Sequence, residues 1–226
     1  MNDKKKALLS LILLVPAPSI GALSAMVLFP DTLLGKTIFA LSKMWLFVFP
    51  LVWHVFIFKN GISLSPPKKG GFGMGFLTGI GISIAIIVVY WSVGQKLFDH
   101  SVFIGKMKEI GLASLPVYIG AAAYWILINS VLEEYVWRWF VVRQCETIVK
   151  PMPAVILSSL FFSLHHVVAL QAYCGIAAVA LCSVGVFVGG IVWSMIYVRY
   201  RSVWPSYLSH AIVDLCIFGI GASMIF

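Results

Sequence analysis

The chain has 226 residues, of which 61% are hydrophobic and only 11% are charged, and its mean hydropathy is +1.01. Soluble domains contain about 45–50% apolar and about 25% charged residues, and a soluble domain of this length cannot bury so much apolar surface. The composition therefore excludes a soluble domain and indicates that a lipid bilayer surrounds most of the side chains.

Seven stretches are long and apolar enough to span a bilayer, which takes about 20 mostly apolar residues. In chain order they are 7–29, 33–58, 72–94, 116–142, 152–172, 174–198 and 203–225. We therefore predict an all-α fold, a polytopic transmembrane helix bundle of about seven spans. An eighth helix is expected if 172–198 is divided at its glycine-rich part. The stretch 95–115, where lysines alternate with apolar residues, predicts a short interfacial helix.

The loop charges predict how the chain is oriented. With the N-terminus in the cytoplasm, the inner loops carry ten Lys and Arg residues and the outer loops carry four. Cytoplasmic loops are enriched in these residues. We therefore expect a multi-pass protein with a cytoplasmic N-terminus, and we assign it to the plasma membrane of a bacterium. The net charge of +8 lies in short runs that face lipid head groups, so nucleic acid is not an expected partner.

Seven ionisable residues fall inside three of the last four predicted spans, where a charge costs about 3 kcal/mol on insertion scales. They are Glu133, Glu134, Arg138, His165, His166, His210 and Asp214. Only eight acidic residues occur in the whole chain, and three of them belong to this group. Ionisable residues at membrane depth are candidate functional residues by default.

The spacing of these residues suggests separate tasks. Glu134 and Arg138 lie four apart on one helix face, where an ion pair can form. Glu133 points about 100° away from its neighbour and is free to face a cavity as a general base. His210 and Asp214 are also four apart, the spacing at which a carboxylate can orient an imidazole. At a rise of about 1.5 Å per residue, most of these positions lie near the middle of a hydrocarbon core about 30 Å thick.

The order and spacing of the polar residues resemble three motifs of the CAAX-protease and bacteriocin-processing family of intramembrane peptidases, which includes the type II CAAX prenyl endopeptidases. The motifs are Glu133-Glu134-x-x-x-Arg138, Phe162-x-x-x-His166 and His210-x-x-x-Asp214. The resemblance covers about residues 116–222, whereas the earlier part matches only as generic spans. We therefore expect N-terminal spans and loops at 1–115 and a catalytic core at 116–226, within one membrane domain.

The resemblance implies that Glu133 and His166 activate a water molecule for hydrolysis of a peptide bond. The implied partner is a membrane-associated peptide or protein, with a prenylated CAAX tail as the substrate that the family name suggests. His210 and Asp214 would stabilise the oxyanion. Because the family often has Asn at the last position, and a carboxylate donates a hydrogen bond only when protonated, we assign Asp214 the task of orienting His210.

Three further residues are expected to support the site. Glu134 and Arg138 form the structural ion pair. His165 adjoins His166 and is interpreted as a supporting residue. We prefer His166 as the catalytic histidine because Phe162-Ser-Leu-His-His166 aligns with the pattern Phe-Gly-Leu-x-His of the family.

The sequence leaves three alternatives to a peptidase without a metal. No cofactor is expected, but two histidines and a carboxylate can ligate zinc, and Glu133, His166 and His210 would then hold the ion. We rank the zinc-dependent reaction lower because no His-Glu-x-x-His segment is present. A non-proteolytic membrane regulator or immunity scaffold is the second class of function. A proton-coupled transporter is the third, since buried Glu, His and Asp also form proton relays.

Overall fold

The apolar stretches form long helices, and the computed structural model describes residues 2–226. In chain order the helices are α1 (Asp3–Leu28), α2 (Leu33–Ile57), α3 (Phe72–Leu97), α4 (His100–Glu109), α5 (Leu115–Ile148), α6 (Pro151–Gln171), α7 (Ile176–Tyr200) and α8 (Val203–Ile225). The structure is 84% helical, and no strand occurs among the residues that it describes. All of these helices except α4 are long and apolar enough to span a membrane, which confirms the predicted number of seven.

The helices lie close to the predicted spans, and α5 departs most from its predicted bounds. Helix α7 runs unbroken through its glycines, so 172–198 does not divide into a further span. Helix α5 continues to Ile148, six residues beyond the predicted end at 142, because no proline interrupts it before Pro151. The stretch 95–115 contains the last turn of α3 and the short helix α4.

Local signals in the sequence explain where several helices begin. The Thr32 hydroxyl accepts a hydrogen bond from the Gly35 backbone N–H at 3.1 Å and so caps α2. In the same way, the Ser202 hydroxyl accepts from the Trp204 N–H at 3.3 Å at the start of α8. These side chains satisfy N–H groups that have no partner within the first helical turn. Helix α6 starts with Pro151, whose missing N–H costs nothing at that position.

The middle of α5 lies at the centre of the bundle. Every side chain from Val136 to Val142 is at most 3% exposed, so this segment is buried on all sides rather than along one stripe. A helix of that kind is surrounded by other helices, and α2, α6, α7 and α8 all contact it. The polar residues that α5 carries are therefore enclosed by protein.

Two segments of α5 are π-helical, Trp125–Asn129 and Tyr135–Val142, and one ordinary α-helical turn, Ser130–Glu134, lies between them. A π-helical turn holds more residues than an α-helical turn, and such turns are frequent at functional sites. The angular positions of the side chains along α5 therefore depart from the regular 100° step. Glu133 and Glu134 belong to the regular turn between the two segments.

Large apolar side chains cover the outside of the bundle. Leu33 is 82% exposed, Phe56 is 71% exposed and Trp91 is 64% exposed. So much contiguous apolar surface is not found on soluble monomers, whereas hydrocarbon chains solvate it well. The exposed apolar surface thus agrees with the membrane environment that the composition predicts.

Helices α3 and α8 contact each other extensively. Gly75 and Gly79 face α8, and a Cβ atom added at Gly75 would overlap the Pro205 carbonyl oxygen. At Gly79 the nearest atom, Cβ of Ile212, would lie 3.0 Å away. Small residues let membrane helices approach closely and gain dispersion contacts. The two glycines therefore set the distance between α3 and α8.

A methyl group at Gly75 should separate the two helices. We expect Gly75→Ala to lower the free energy of unfolding by about 1–3 kcal/mol, the usual cost of overpacking. Gly81→Ala is the matched control, because a Cβ there meets open space and alanine favours a helix over glycine by about 1 kcal/mol. Thermal unfolding in detergent measures both variants. Equal losses of stability at the two positions would contradict the close packing of α3 on α8.

Candidate active site

Three transmembrane helices bring the predicted residues into one cluster. Helix α5 contributes Glu133, Glu134 and Arg138; helix α6 contributes His165 and His166; helix α8 contributes His210 and Asp214. Glu134 and Arg138 are fully buried, and Glu133 and His210 are nearly so. The two histidines of α6 and Asp214 are partly buried. The structure therefore places all seven side chains together although they are up to 81 residues apart in the chain.

The predicted ion pair between Glu134 and Arg138 is present. Nε of Arg138 lies 3.5 Å from Oε2 of Glu134. The guanidinium also lies over two aromatic rings, 4.5 Å from the Phe162 centroid and 5.2 Å from the Trp193 centroid. Cation–π contacts of this kind stabilise a guanidinium that has left water. Arg138 is therefore held by one carboxylate and two rings.

The His210 ring is oriented by Glu134. Its Nδ1 lies 3.0 Å from Glu134 Oε1, and because an ionised carboxylate only accepts hydrogen bonds, this nitrogen carries a proton and donates it. Its Nε2 lies 3.7 Å from Asp214 Oδ1 and 3.9 Å from Glu133 Oε2. The Trp193 ring stacks on the imidazole at 3.9 Å between centroids. The shortest contact is to Glu134, so the orienting task that the sequence assigned to Asp214 belongs mainly to Glu134.

Asp214 is anchored to α5 through Ser130, a residue that the sequence analysis did not identify. Oγ of Ser130 lies 2.6 Å from Asp214 Oδ2 and 2.8 Å from the Trp125 carbonyl oxygen. The hydroxyl has a single proton, so it donates to only one of these oxygens at a time. If it donates to the Trp125 carbonyl oxygen, the short contact between Ser130 and Asp214 requires a protonated Asp214 that donates to the Ser130 oxygen.

Both adjacent histidines of α6 lie near Glu133. His166 Nδ1 is 2.9 Å from the Phe162 carbonyl oxygen, and because a carbonyl only accepts, this nitrogen carries the proton and Nε2 is left to act as a base. The His165 ring stacks on Trp137 at 5.4 Å between centroids. Its Nδ1 is buried, and among residues 2–226 it has no hydrogen-bond partner. The hydrogen bond to Phe162 thus defines the tautomer of His166, whereas no such contact defines the tautomer of His165.

The group that can share a metal ion differs from the predicted one. Ligand atoms of Glu133, His165 and His166 lie within 4.8 Å of one another. The sequence predicted Glu133, His166 and His210 for this task. His210 is not a member of this group. If a metal binds here, the donors are the carboxylate of Glu133 and the two histidines of α6.

Two residues that the sequence analysis missed lie beside Glu133. Lys43 of α2 reaches into the bundle, and its Nζ donates to Asn129 Oδ1 at 3.3 Å. Asn129 is 3% exposed and lies one turn before Glu133 on the same face of α5. Lys43 could have been found by the rule that identified the other residues, because it is a charge well inside an apolar span.

Comparison with known proteins adds one finding. Residues 115–216 match the family model described as Rce1-like, type II CAAX prenyl endopeptidase. The matched region contains all seven predicted site residues but neither Lys43 nor any other part of α1 to α4. No curated protein and no solved structure matches the chain. The family match confirms the resemblance that the three motifs predicted.

Loss of the Arg138 guanidinium should destabilise the fold through the charge that it leaves behind. We expect Arg138→Met to lower the free energy of unfolding by about 3–5 kcal/mol, because Glu134 then stays buried without its cation. The double variant Glu134→Gln/Arg138→Met removes both charges and should recover part of that loss. Thermal unfolding in detergent provides the measurement. A double variant no more stable than Arg138→Met would show that the ion pair is not what stabilises this part of the bundle.

Proposed function

We propose that this chain, whose residues 115–216 match the family model of type II CAAX prenyl endopeptidases, is an intramembrane endopeptidase. Its substrate would be a membrane-associated or prenylated CAAX-type peptide or protein. One observation carries the proposal: the Glu133 carboxylate lies among the imidazoles of His166 and His210 inside a transmembrane bundle. A carboxylate and two imidazoles at that distance can take up, hold and return a proton.

In the proposed reaction, Glu133 and His166 activate a water molecule. The carboxylate and Nε2 of His166 both accept hydrogen bonds from the water, and Glu133 takes one of its protons as the oxygen attacks the peptide carbonyl carbon. The C–N bond then breaks, and the same proton passes from Glu133 to the leaving amine. One group thus acts as base and then as acid, as general acid–base catalysis requires.

His210 is the proposed donor to the oxyanion. Its Nδ1–H is directed to Glu134, so a proton on Nε2 can point to the negative oxygen of the tetrahedral intermediate. Donors that are already oriented before the reaction stabilise such charge without reorganisation. Asp214 next to Nε2 favours the doubly protonated imidazole. Arg138 acts on this system by holding Glu134.

The proposed location is the plasma membrane of a bacterium, with the N-terminus in the cytoplasm. The basis for the orientation is the excess of Lys and Arg in the loops that would then face the cytoplasm. The bilayer brings a lipid-anchored substrate to the bundle, because such a substrate is already confined to the membrane. The proposal includes no nucleic-acid partner.

A zinc-dependent version of the reaction is the second candidate. It is favoured by the grouping of ligand atoms from Glu133, His165 and His166 and by the buried His165 Nδ1. The ammonium group of Lys43 opposes it, since its positive charge acts on the same three residues and repels a dication. We therefore propose the reaction without a cofactor.

Replacement of the proposed base should abolish proteolysis. We expect Glu133→Gln to lower product formation by about 10²–10⁴-fold, the usual contribution of a general base. Mass spectrometry of peptides from cells that carry each variant measures the effect. Glu109→Gln is the matched control, because Glu109 is an exposed residue of α4 that pairs with Lys106. Unchanged peptides with folded Glu133→Gln protein would instead favour a regulator, an immunity scaffold or a transporter.

The two histidines of α6 distinguish the reaction without metal from the zinc-dependent one. His165→Phe preserves the ring that stacks on Trp137 but removes both nitrogens. We expect this variant to retain most of the activity, His166→Phe to lose it, and the purified protein to resist a chelator. Activity assays with and without chelator, together with metal analysis, provide the test. Loss of activity in both variants and on chelation would establish zinc instead.

A further inference from the structure

One partly buried cation, Lys43, reaches the site from outside the region that matches the family. Lys43 lies ten residues after Leu33 in α2, about 15 Å from the helix end at 1.5 Å per residue. An ammonium group at such depth requires partners within the protein. It has two, the Phe47 ring at 5.5 Å and the Asn129 amide at 3.3 Å. The Lys43 ammonium group therefore makes its contacts inside the bundle.

The lysine determines which way the Asn129 amide faces. An ammonium group has only donors, so the oxygen of the amide must point to Lys43 and the NH₂ group must point away. Asn129 is buried and precedes Glu133 by one helical turn, so the two side chains lie on the same face of α5. The NH₂ group is thus presented to the proposed base.

The charges around Glu133 also connect Lys43 with the proposed base. The cluster holds three carboxylates, and Arg138 contacts only Glu134 among them. Lys43 is the second cation, and its field acts on Glu133 and on the two histidines of α6. His210 approaches Glu133 at 3.9 Å from α8. Glu133 therefore has imidazole neighbours on α6 and α8, and the Lys43–Asn129 pair extends its surroundings to α2.

We propose that Lys43 is a positioning residue, which holds the Glu133 carboxylate toward its water through Asn129. The N-terminal spans would then complete a site whose other residues all lie in the family-matched region. This inference rests on the proposed function, since it assigns Lys43 a task in the same hydrolysis. Lys43 itself touches neither the water nor the substrate.

The test uses the full chain in liposomes and a fluorogenic peptide that spans the cleavage site mapped with the Glu133→Gln comparison. We expect Lys43→Met to lower kcat by about 10–100-fold, since small errors in the position of a reacting group cost that much, and to leave KM nearly unchanged. Lys43→Arg retains a donor for Asn129 and should restore most of kcat. Lys36→Met removes an exposed lysine of the same helix and should have no effect.

A second variant tests the relay independently of the lysine. Asn129→Leu should lower kcat as Lys43→Met does, and the double variant should be no slower than either single variant, because both interrupt one chain of contacts. Thermal unfolding of each variant shows whether it is folded. If Lys43→Met does not fold, Asn129→Leu and Lys43→Arg decide the matter.

Four results would overturn the inference: a wild-type kcat in Lys43→Met, a kcat in Lys43→Arg no higher than in Lys43→Met, additive losses in the double variant, or a raised KM with unchanged kcat. The last result would assign Lys43 to substrate binding. If Glu133→Gln leaves the peptides unchanged, the proposed function fails, and the task of Lys43 fails with it. If Glu133→Gln abolishes cleavage and Lys43→Met does not slow it, the inference alone fails.

Discussion

The site depends on the Glu134 carboxylate, which binds Arg138 with one oxygen and His210 with the other. Both partners are buried, and each would be costly to bury alone. Glu134 is on α5 and His210 is on α8, so the same carboxylate joins two helices and sets the direction of the imidazole. The position of His210 beside Glu133 and Asp214 follows from this contact. Removal of Glu134 would therefore leave the His210 ring without its orienting contact and would leave Arg138 as a buried charge without its carboxylate.

The bilayer explains why the site lies beside an enclosed segment of α5. A hydrocarbon environment cannot stabilise ionised side chains, so they must be surrounded by other helices. Helix α5 meets this requirement between Val136 and Val142, where it is buried on all sides. The aromatic rings of Phe162 and Trp193 cover the guanidinium of Arg138 without adding polar groups. Packing and charge compensation are thus provided by the same residues.

The sequence was sufficient for features that depend on one helix at a time. Hydropathy predicted all seven spans, and the four-residue spacing predicted the pair between Glu134 and Arg138. Contacts between helices could not be predicted, because spacing along one helix does not define the rotation of its neighbour. The hydrogen bond from His210 to Glu134 and the grouping of Glu133 with both histidines of α6 depend on that rotation. The π-helical segments of α5 change the rotation of its side chains further, and no residue pattern indicated these segments.

Charge balance separates the tasks of the two adjacent glutamates. Glu134 has a cation and an imidazole at short distance, so its charge is compensated within the fold. Glu133 has no Lys or Arg in direct contact among the described residues; His210 approaches it at 3.9 Å, and Lys43 lies beyond Asn129. A carboxylate compensated at a distance keeps its oxygens free for a water molecule. Two identical side chains in sequence thereby become a structural anion and a proposed base: Arg138 of α5 and His210 of α8 compensate Glu134, whereas Lys43 of α2 acts on Glu133 from farther away.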